Sequence, residues 1–300
     1  MSQSSRSSAI KTYRLLLAGL ALALFVVLPL RVACAQSLGW EGPTGVFVTP
    51  LAYTAASPEK GFGLPIVAYH YVNGGNVLGD FHQISITEGA LKRIEFGYTR
   101  TVHSEGNNAS FSSLWTDGFN TFHAKVNVIP ENYAKQKWLP AISGGFILRT
   151  QVNNVGGVLR NQKTTNADGY VVATKTITQI KPIPVVLSAG VRATNASLFG
   201  LGGNAPDFVA RGFGAVAFVF KGPAKSTIIL GSEVSQQPRR IEGLPLADVP
   251  TTLTYAARIV PLAKKKLNVD FGILQAAGQI QPGVNLNARA RFAFGISYGL

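Results

Sequence analysis

The last thirteen residues, 288–300, alternate strictly between two kinds of side chain. One face of an extended strand would carry large apolar residues, namely Phe292, Phe294, Ile296, Tyr298 and Leu300. The other face would carry Arg289, Arg291 and small residues. A period of two predicts a β-strand. A soluble sheet buries the apolar face of such a strand, whereas a membrane barrel turns it toward lipid.

Eleven further segments predict strands of similar length. The clearest is Asn120–Ile129, where Phe122 and Val126 oppose Thr121 and Lys125. The others are Gly61–Asn73, Asp80–Glu88, Leu91–His103, Leu139–Val152, Gly169–Ile180, Ile183–Thr194, Gly212–Lys221, Ser226–Gln236, Thr251–Val260 and Lys266–Ala276. A tilted transmembrane strand needs about 9–11 residues, which most of these segments supply.

The connections between these segments alternate in length. Short ones include Gly89-Ala90 and Lys181-Pro182, and long polar ones include Ser104–Phe119 and Asn195–Arg211. Outer-membrane barrels have short turns at one end and long loops at the other, whereas a sandwich does not sort its loops in this way. We therefore predict an all-β fold, a transmembrane antiparallel up-and-down β-barrel of about 12 strands over residues 61–300.

Residues 1–35 have the features of a cleaved secretory signal. Positive charges at Arg6, Lys11 and Arg14 precede the apolar run Leu15–Leu30, and Ala33-Cys34-Ala35 is typical of a cleavage site. A retained membrane anchor and a lipid attached to Cys34 are the alternatives. Because Cys34 is the single cysteine, cleavage would leave a chain with no disulfide or cysteine metal site.

The positive charge favours a lipid or solute partner over nucleic acid. The chain has 28 Lys and Arg and 14 Asp and Glu. Removing the four bases Arg6, Lys11, Arg14 and Arg31 with the signal leaves a net charge of about +10. The Lys and Arg residues that remain are scattered along the chain, and the chain is predicted to be exported. We therefore expect contact with outer-membrane lipid and anionic solutes, and no nucleic-acid partner.

The C-terminal strand resembles the sorting strand of Gram-negative outer-membrane barrels. Gly295, aromatic Tyr298 and terminal Leu300 carry the resemblance, although Phe is the usual last residue. The resemblance implies recognition by the barrel-assembly machinery and a location in the outer membrane of a Gram-negative bacterium.

Residues 36–60 are rich in Gly and Pro and predict either a lead-in or a plug segment. Within them, residues 42–50 (Gly-Pro-Thr-Gly-Val-Phe-Val-Thr-Pro) resemble the opening of YjbH-like outer-membrane barrels. That resemblance implies a non-enzymatic accessory role in envelope or exopolysaccharide export.

Charged residues on the polar faces of the strands are the candidate lumen lining. With His123, they are Arg93, Glu95, Lys125, Arg149, Arg192, Glu233, Arg258, Asp270, Arg289 and Arg291. Seven are positive and three are negative, which favours anions if water enters the lumen. Mutual pairing that simply fills the lumen is the alternative. The sequence thus predicts a narrow passive channel for small polar or anionic solutes, or the accessory role named above.

Enzymatic and metal-binding functions have weak support in the sequence. Gly295–Gly299 matches G-x-S-x-G, but no helix can follow it, as a nucleophile elbow requires. A lipid-acting barrel enzyme is therefore the least favoured alternative. His70 and His82 could meet across one hairpin, but two histidines alone make a poor metal site. We predict no catalytic residues, cofactor or metal.

Overall fold

Twelve antiparallel strands form a closed ring in the computed structural model, which describes residues 37–107, 115, 117–152, 164–178, 183–243, 246, 248–261, 266–276 and 290–300. The strands are β1 (Ile66–Asn73), β2 (Asp80–Ala90), β3 (Ile94–Ser104), β4 (Phe119–Ile129), β5 (Ala141–Val152), β6 (Thr164–Ile177), β7 (Val185–Ser197), β8 (Gly203–Lys221), β9 (Thr227–Ser235), β10 (Thr252–Val260), β11 (Leu267–Ala276) and β12 (Arg291–Gly299). Each pairs with the next, and β12 closes on β1 through Ile66↔Gly299 and Val72↔Ala293. The predicted all-β barrel is confirmed.

The two faces of each strand differ as the alternation predicts. On β4, Phe122, Val126 and Val128 are 43%, 45% and 61% exposed, whereas Thr121 and Lys125 are buried. Successive side chains of a strand point to opposite sides, so the exposed face is the outside of the ring and the buried face is its lumen. The outside carries many further apolar residues, including Ile84, Phe96, Phe146, Val171, Leu187, Val191, Phe271 and Phe292. The barrel is therefore apolar outside and polar inside.

The connections define two ends of the barrel. The end that we call the turn end has connections 91–93, 130–140, 178–184, 222–226 and 261–266, and it also holds the start of β1 and the end of β12. The opposite loop end has connections 74–79, 105–118, 153–163, 198–202, 236–251 and 277–290. The predicted division into shorter and longer connections holds for most of these pairs.

The hairpin of β7 and β8 is the main departure from the predicted elements. Residues 195–211 were expected to form a loop, but β8 begins at Gly203, and Ala196 pairs with Asn204. This part extends at the loop end, where residues Pro206, Asp207 and Phe208 are exposed. The segment has no apolar alternation, because its tip does not face lipid: Phe199 and Gly200 are buried and contact the interior of the barrel instead.

The turn between β2 and β3 explains why β3 begins at Ile94 rather than at Leu91. Leu91 and Lys92 have φ of 53° and 58°, and the Arg93 amide donates to the Ala90 carbonyl at 3.1 Å. Two left-handed residues between paired strands make a tight hairpin turn that follows the strand twist. Arg93 is thereby placed in the turn.

Helical structure in the described part consists of α1 (Gly75–Leu78), three short 3₁₀ turns, Tyr133–Lys135, Leu198–Gly200 and Pro223–Lys225, and a further 3₁₀ residue at Trp115. None of the helices among the described residues has the length and apolarity needed to cross a membrane.

The segment before β1 lies inside the ring. We call Ser37–Ala55 the plug segment; all of its residues up to Pro50 are buried, and Leu38 and Phe47 are completely so. Trp40, Phe47 and Val48 pack in one apolar cluster with residues of the wall and loop end, namely Val72, Phe81, Trp115, Phe199 and Ala293. The main core of the molecule is therefore the contact between this segment and the barrel wall.

Candidate functional site in the lumen

A single wall carboxylate binds one bend of the plug segment. Glu233 on β9 is buried, and it accepts hydrogen bonds from the amides of Phe47, Val48 and Thr49 at 3.1, 3.1 and 2.8 Å. The Thr49 hydroxyl donates to the same carboxylate at 2.6 Å. Successive backbone N–H groups that converge on one point form a concave anion site. Here the anion is a group of the protein itself, the Glu233 carboxylate on the barrel wall.

A second anchor joins the plug segment to β3 and β4. Glu95 accepts hydrogen bonds from the Thr44 amide at 2.9 Å and from the Ala55 amide at 2.7 Å. Lys125 Nζ lies 3.1 Å from Glu95 and donates to the carbonyls of Thr44 and Leu51 at 3.1 and 3.0 Å. Both charged side chains are fully buried, so each compensates the other while binding polar groups of the same segment.

A third anchor lies on β10 and β11. Arg258 Nε donates to Asp270 at 2.6 Å, and its guanidinium also donates to the carbonyls of Gly45 and Val46. The Ser37 hydroxyl donates to the other oxygen of Asp270 at 2.8 Å. This ion pair therefore holds both the start of the plug segment and its middle.

A fourth anchor has the opposite arrangement, since the acid is on the plug segment. Glu41 accepts hydrogen bonds from Nε and Nη2 of Arg149, the latter at 2.8 Å. Arg149 Nη2 also lies 2.8 Å from Asp168, and Arg192 Nη1 lies 3.8 Å from the same carboxylate. Four buried charges thus form one network near the loop end of β5, β6 and β7.

Close approach to the wall selects glycine at the bend between these anchors. Gly42 has φ of +102°, and a Cβ there would lie 2.6 Å from the Thr99 hydroxyl and 2.7 Å from the His123 ring. The Gly42 carbonyl accepts a hydrogen bond from Thr87 at 2.8 Å. The Gly-rich composition of residues 36–60 is therefore needed where the segment turns against the wall.

Where the plug segment leaves the lumen, it contacts the turn end. The Tyr53 hydroxyl lies 2.8 Å from Glu131 and 2.7 Å from the Thr176 hydroxyl. Burial raises the pKa of Tyr53 well above its usual value, so this phenol stays neutral. Beyond it, exposed Glu59 pairs with Lys92 at 2.6 Å, and that hydrogen bond and charge lower the pKa of Glu59.

The structure places the predicted lumen residues as follows. Eight side chains point inward and contact the plug segment or each other, namely Glu95, His123, Lys125, Arg149, Arg192, Glu233, Arg258 and Asp270. Arg291 lies at the loop end of β12, beside Gly75. Arg93 does not line the lumen: it is exposed in the β2–β3 turn and donates to the Val128 carbonyl. Arg289 lies outside the described residues.

Several lumen residues have no clear signal in the sequence. Asp168 and Arg211 were expected in loops, but both lie on strands; Arg211 is directly opposite inward-facing Arg192. Strand β6 places Val172 inward and Val171 outward, so its pattern does not separate the two faces. Glu41 lies in a segment without any regular period.

The remaining motifs have other surroundings. His70 is buried in the lumen, whereas His82 is on the outer side, where Tyr69 donates to or accepts from its ring at 2.7 Å. The pairs His70↔Gln83 and Tyr71↔His82 show why the two histidines do not meet. Ser297 lies within 3.3 Å of Asn268 and 3.4 Å of Ser37. Among the described residues, no group of three or more His, Cys, Asp or Glu could hold a metal ion.

The C-terminal motif adds a packing role to the one predicted. A Cβ at Gly295 would lie 2.6 Å from the His70 ring, so this position requires a residue without a side chain. Recognition of Gly295, Tyr298 and Leu300 by the barrel-assembly machinery stays a prediction.

These features define a class of protein. A closed antiparallel ring satisfies its backbone hydrogen bonds internally, and an apolar exterior around a polar lumen is the pattern of outer-membrane barrels. The chain is a transmembrane β-barrel of the outer-membrane type, with the plug segment inside its lumen.

No protein-family model matches the sequence, and no curated protein matches it. Solved structures with a similar chain path include the NanC porin, at 9% identity and a TM-score of 0.45, over 79% of this chain and 100% of that one. The KdgM porin has 8% identity and a TM-score of 0.45, over 78% and 99%. The COG4313 outer membrane channel from Pseudomonas putida F1 has 13% identity and a TM-score of 0.44, over 82% and 97%.

Proposed function

We propose that the barrel is an outer-membrane channel for small polar or anionic solutes, and that the plug segment closes it. The main support for this proposal is that the plug segment fills the lumen. A barrel of this size encloses more space than its own wall side chains need to fill, and here a separate segment occupies that space. Polar wall groups such as Glu233 and Lys125 bind the backbone of that segment, so its movement would leave a wall already lined for water and ions.

The charges of the wall support a preference for anions. Inward-facing charged residues on the described strands that are at least partly buried comprise six bases and four acids: Lys125, Arg149, Arg192, Arg211, Arg258 and Arg291 against Glu95, Asp168, Glu233 and Asp270. The plug segment contributes Glu41. Its departure would therefore increase the excess of positive charge, and rings of Arg and Lys favour anions.

A reversible cross-link tests the closure directly. The hydroxyls of Ser37 and Ser297 are 3.4 Å apart, so the double variant Ser37→Cys/Ser297→Cys can form a disulfide between the plug segment and β12. Thr49→Val, which removes one hydrogen bond to Glu233, should loosen the segment. In planar bilayers we expect rare openings of the unmodified protein, more frequent openings of Thr49→Val, and loss of openings in the oxidised double variant that a reductant restores.

The single variant Ser37→Cys is the control, because it cannot form the cross-link. Equal conductance of the oxidised and reduced double variant would show that the plug segment does not close the lumen. A folded Thr49→Val barrel that never conducts would overturn the channel and favour the accessory role in envelope export. Under a salt gradient we expect a reversal potential closer to the equilibrium potential of the anion than to that of the cation. A cation preference would contradict the proposed selectivity.

A further inference from the structure

The contact between Glu41 and Arg149 has the geometry of a bound carboxylate ligand. Arg149 presents Nε and Nη2 to the two different oxygens of Glu41. Such a fork gives two parallel charge-assisted hydrogen bonds and recognises a planar carboxylate by shape as well as by charge. The other three anchors differ, since there the wall binds backbone groups or a hydroxyl of the plug segment.

Two residues of the wall also hold this fork, in addition to the plug segment. Arg149 Nη1 donates to Asn166 at 3.2 Å, and Nη2 donates to Asp168 at 2.8 Å. The Arg149 side chain is completely buried. Because its plane is fixed by residues of β6, the guanidinium is already oriented for a second carboxylate.

A second base lies beside the fork. Arg192 Nη1 is 3.8 Å from Asp168, and its guanidinium lies 5.1 Å from the centre of the Phe199 ring. Arg192 Nε is buried and has no hydrogen-bond partner among the described residues. Two guanidinium groups around the single wall acid Asp168 leave positive charge that Glu41 compensates in this structure.

The fork lies near the loop end, beneath the connection 198–202. A Cβ at Gly200 would lie 2.5 Å from Arg149 Cδ, so the connection passes directly against the Arg149 side chain. In outer-membrane barrels the longer loops face the outside. A solute that enters from outside would therefore reach Arg149 before it reaches the anchors at Glu95 and Lys125.

We infer that the Arg149 fork is a binding site for the carboxylate of a transported solute, which Glu41 occupies while the channel is closed. The inference rests on the proposed channel function. A solute carboxylate and Glu41 compete for the same two N–H groups, so solute binding and closure oppose each other. By linkage, any change that weakens closure at Glu41 strengthens solute binding.

Gluconate and sorbitol make a matched pair of probes, since they share a six-carbon polyol chain and differ in the carboxylate. For binding, we would titrate the detergent-solubilised full-length protein calorimetrically with each probe. Glu41→Gln keeps the shape of the side chain but removes its charge, and we expect it to bind gluconate about tenfold more tightly than the unmodified protein. Arg149→Gln should lose gluconate binding. Sorbitol should bind neither the unmodified protein nor either variant.

For transport, we would record openings in bilayers with each probe on the loop side. Gluconate should raise the opening frequency of the unmodified protein, and sorbitol should not. Thr49→Val is the matched control, because it loosens the plug segment at Glu233 and leaves the fork intact. It should open more often and still respond to gluconate, whereas Glu41→Gln should open often without gluconate.

The two proposals fail in different ways. The carboxylate site would be overturned if Thr49→Val opened equally often with gluconate and with sorbitol. It would also be overturned if Glu41→Gln bound gluconate no more tightly than the unmodified protein. Neither result would contradict the channel function. Absence of openings in a folded Thr49→Val barrel would overturn the channel. Should Arg149→Gln fail to fold, Arg149→Lys keeps the charge without the fork, and gluconate affinity equal to that of the unmodified protein would contradict the site.

Discussion

The inner and outer faces of the same strands are stabilised by different kinds of contact. On β4, the inward residue Lys125 is fully buried and binds Glu95 and two carbonyls of the plug segment. Its outward neighbour Val126 is 45% exposed on the apolar exterior. Inside, each polar group needs one particular partner, because burial without it is costly. Outside, any apolar side chain suits lipid. The contacts that require one particular partner therefore lie in the lumen.

Removing one partner of a buried anchor should give the largest loss of stability. Lys125→Met leaves the Glu95 carboxylate buried without its base, and leaves the carbonyls of Thr44 and Leu51 without Nζ. We expect the free energy of unfolding to fall by about 3–5 kcal/mol, as when one member of a buried ion pair is deleted. Urea titration of the lipid-refolded barrel, followed by tryptophan fluorescence, measures this change.

The double variant Lys125→Met/Glu95→Gln is the control for this prediction. It removes both charges, so it should recover part of the stability lost by Lys125→Met alone. A loss below about 1 kcal/mol in the single variant, the range of an exposed pair, would show that the inner face is no more demanding than a wet surface.

A charge on the outer face should have the next largest effect. Val126 lies near the middle of β4, and Val126→Lys places an ammonium group in the lipid-facing belt. We expect a cost of roughly 2–4 kcal/mol, the range for Lys near the bilayer midplane. The same urea titration measures it, with Val126→Leu as a control that should change little. Equal results for Lys and Leu would mean that this face does not contact lipid.

The difference between the faces also explains what the sequence could predict. Alternation identified most of the strands and the inward direction of Lys125, Arg149 and Asp270, because a period of two is a local property. It could not identify the partners. Glu233 binds the amides of residues that are 184 to 186 positions away, and a backbone N–H has no signature in the sequence.

Other departures have equally physical causes. Arg93 follows the alternation of β3, but the tight turn at Leu91 and Lys92 delays the start of that strand until Ile94. The β7–β8 hairpin extends beyond the lipid-facing belt, so its composition resembles a loop. Glu41 could be recognised as a ligand of Arg149 only after the plug segment was placed in the lumen, since residues 36–60 have no regular period to indicate a direction.

The smallest effect is expected just beyond the plug segment, where the chain meets water. Glu59 and Lys92 form an ion pair with an N–O distance of 2.6 Å, but both side chains are largely exposed. Because Lys92 lowers the pKa of Glu59, any stabilisation is present above the ordinary pKa of a glutamate and is lost as the pH falls through the lowered value. Water and salt screen such a pair, so Glu59→Gln should leave both the unfolding midpoint and the opening frequency unchanged at pH 7. Midpoints measured in low and in 1 M salt check this directly. A shift as large as that of Lys125→Met would mean that closure depends on where the segment leaves the barrel, and the contrast between buried anchors and exposed contacts would then be wrong.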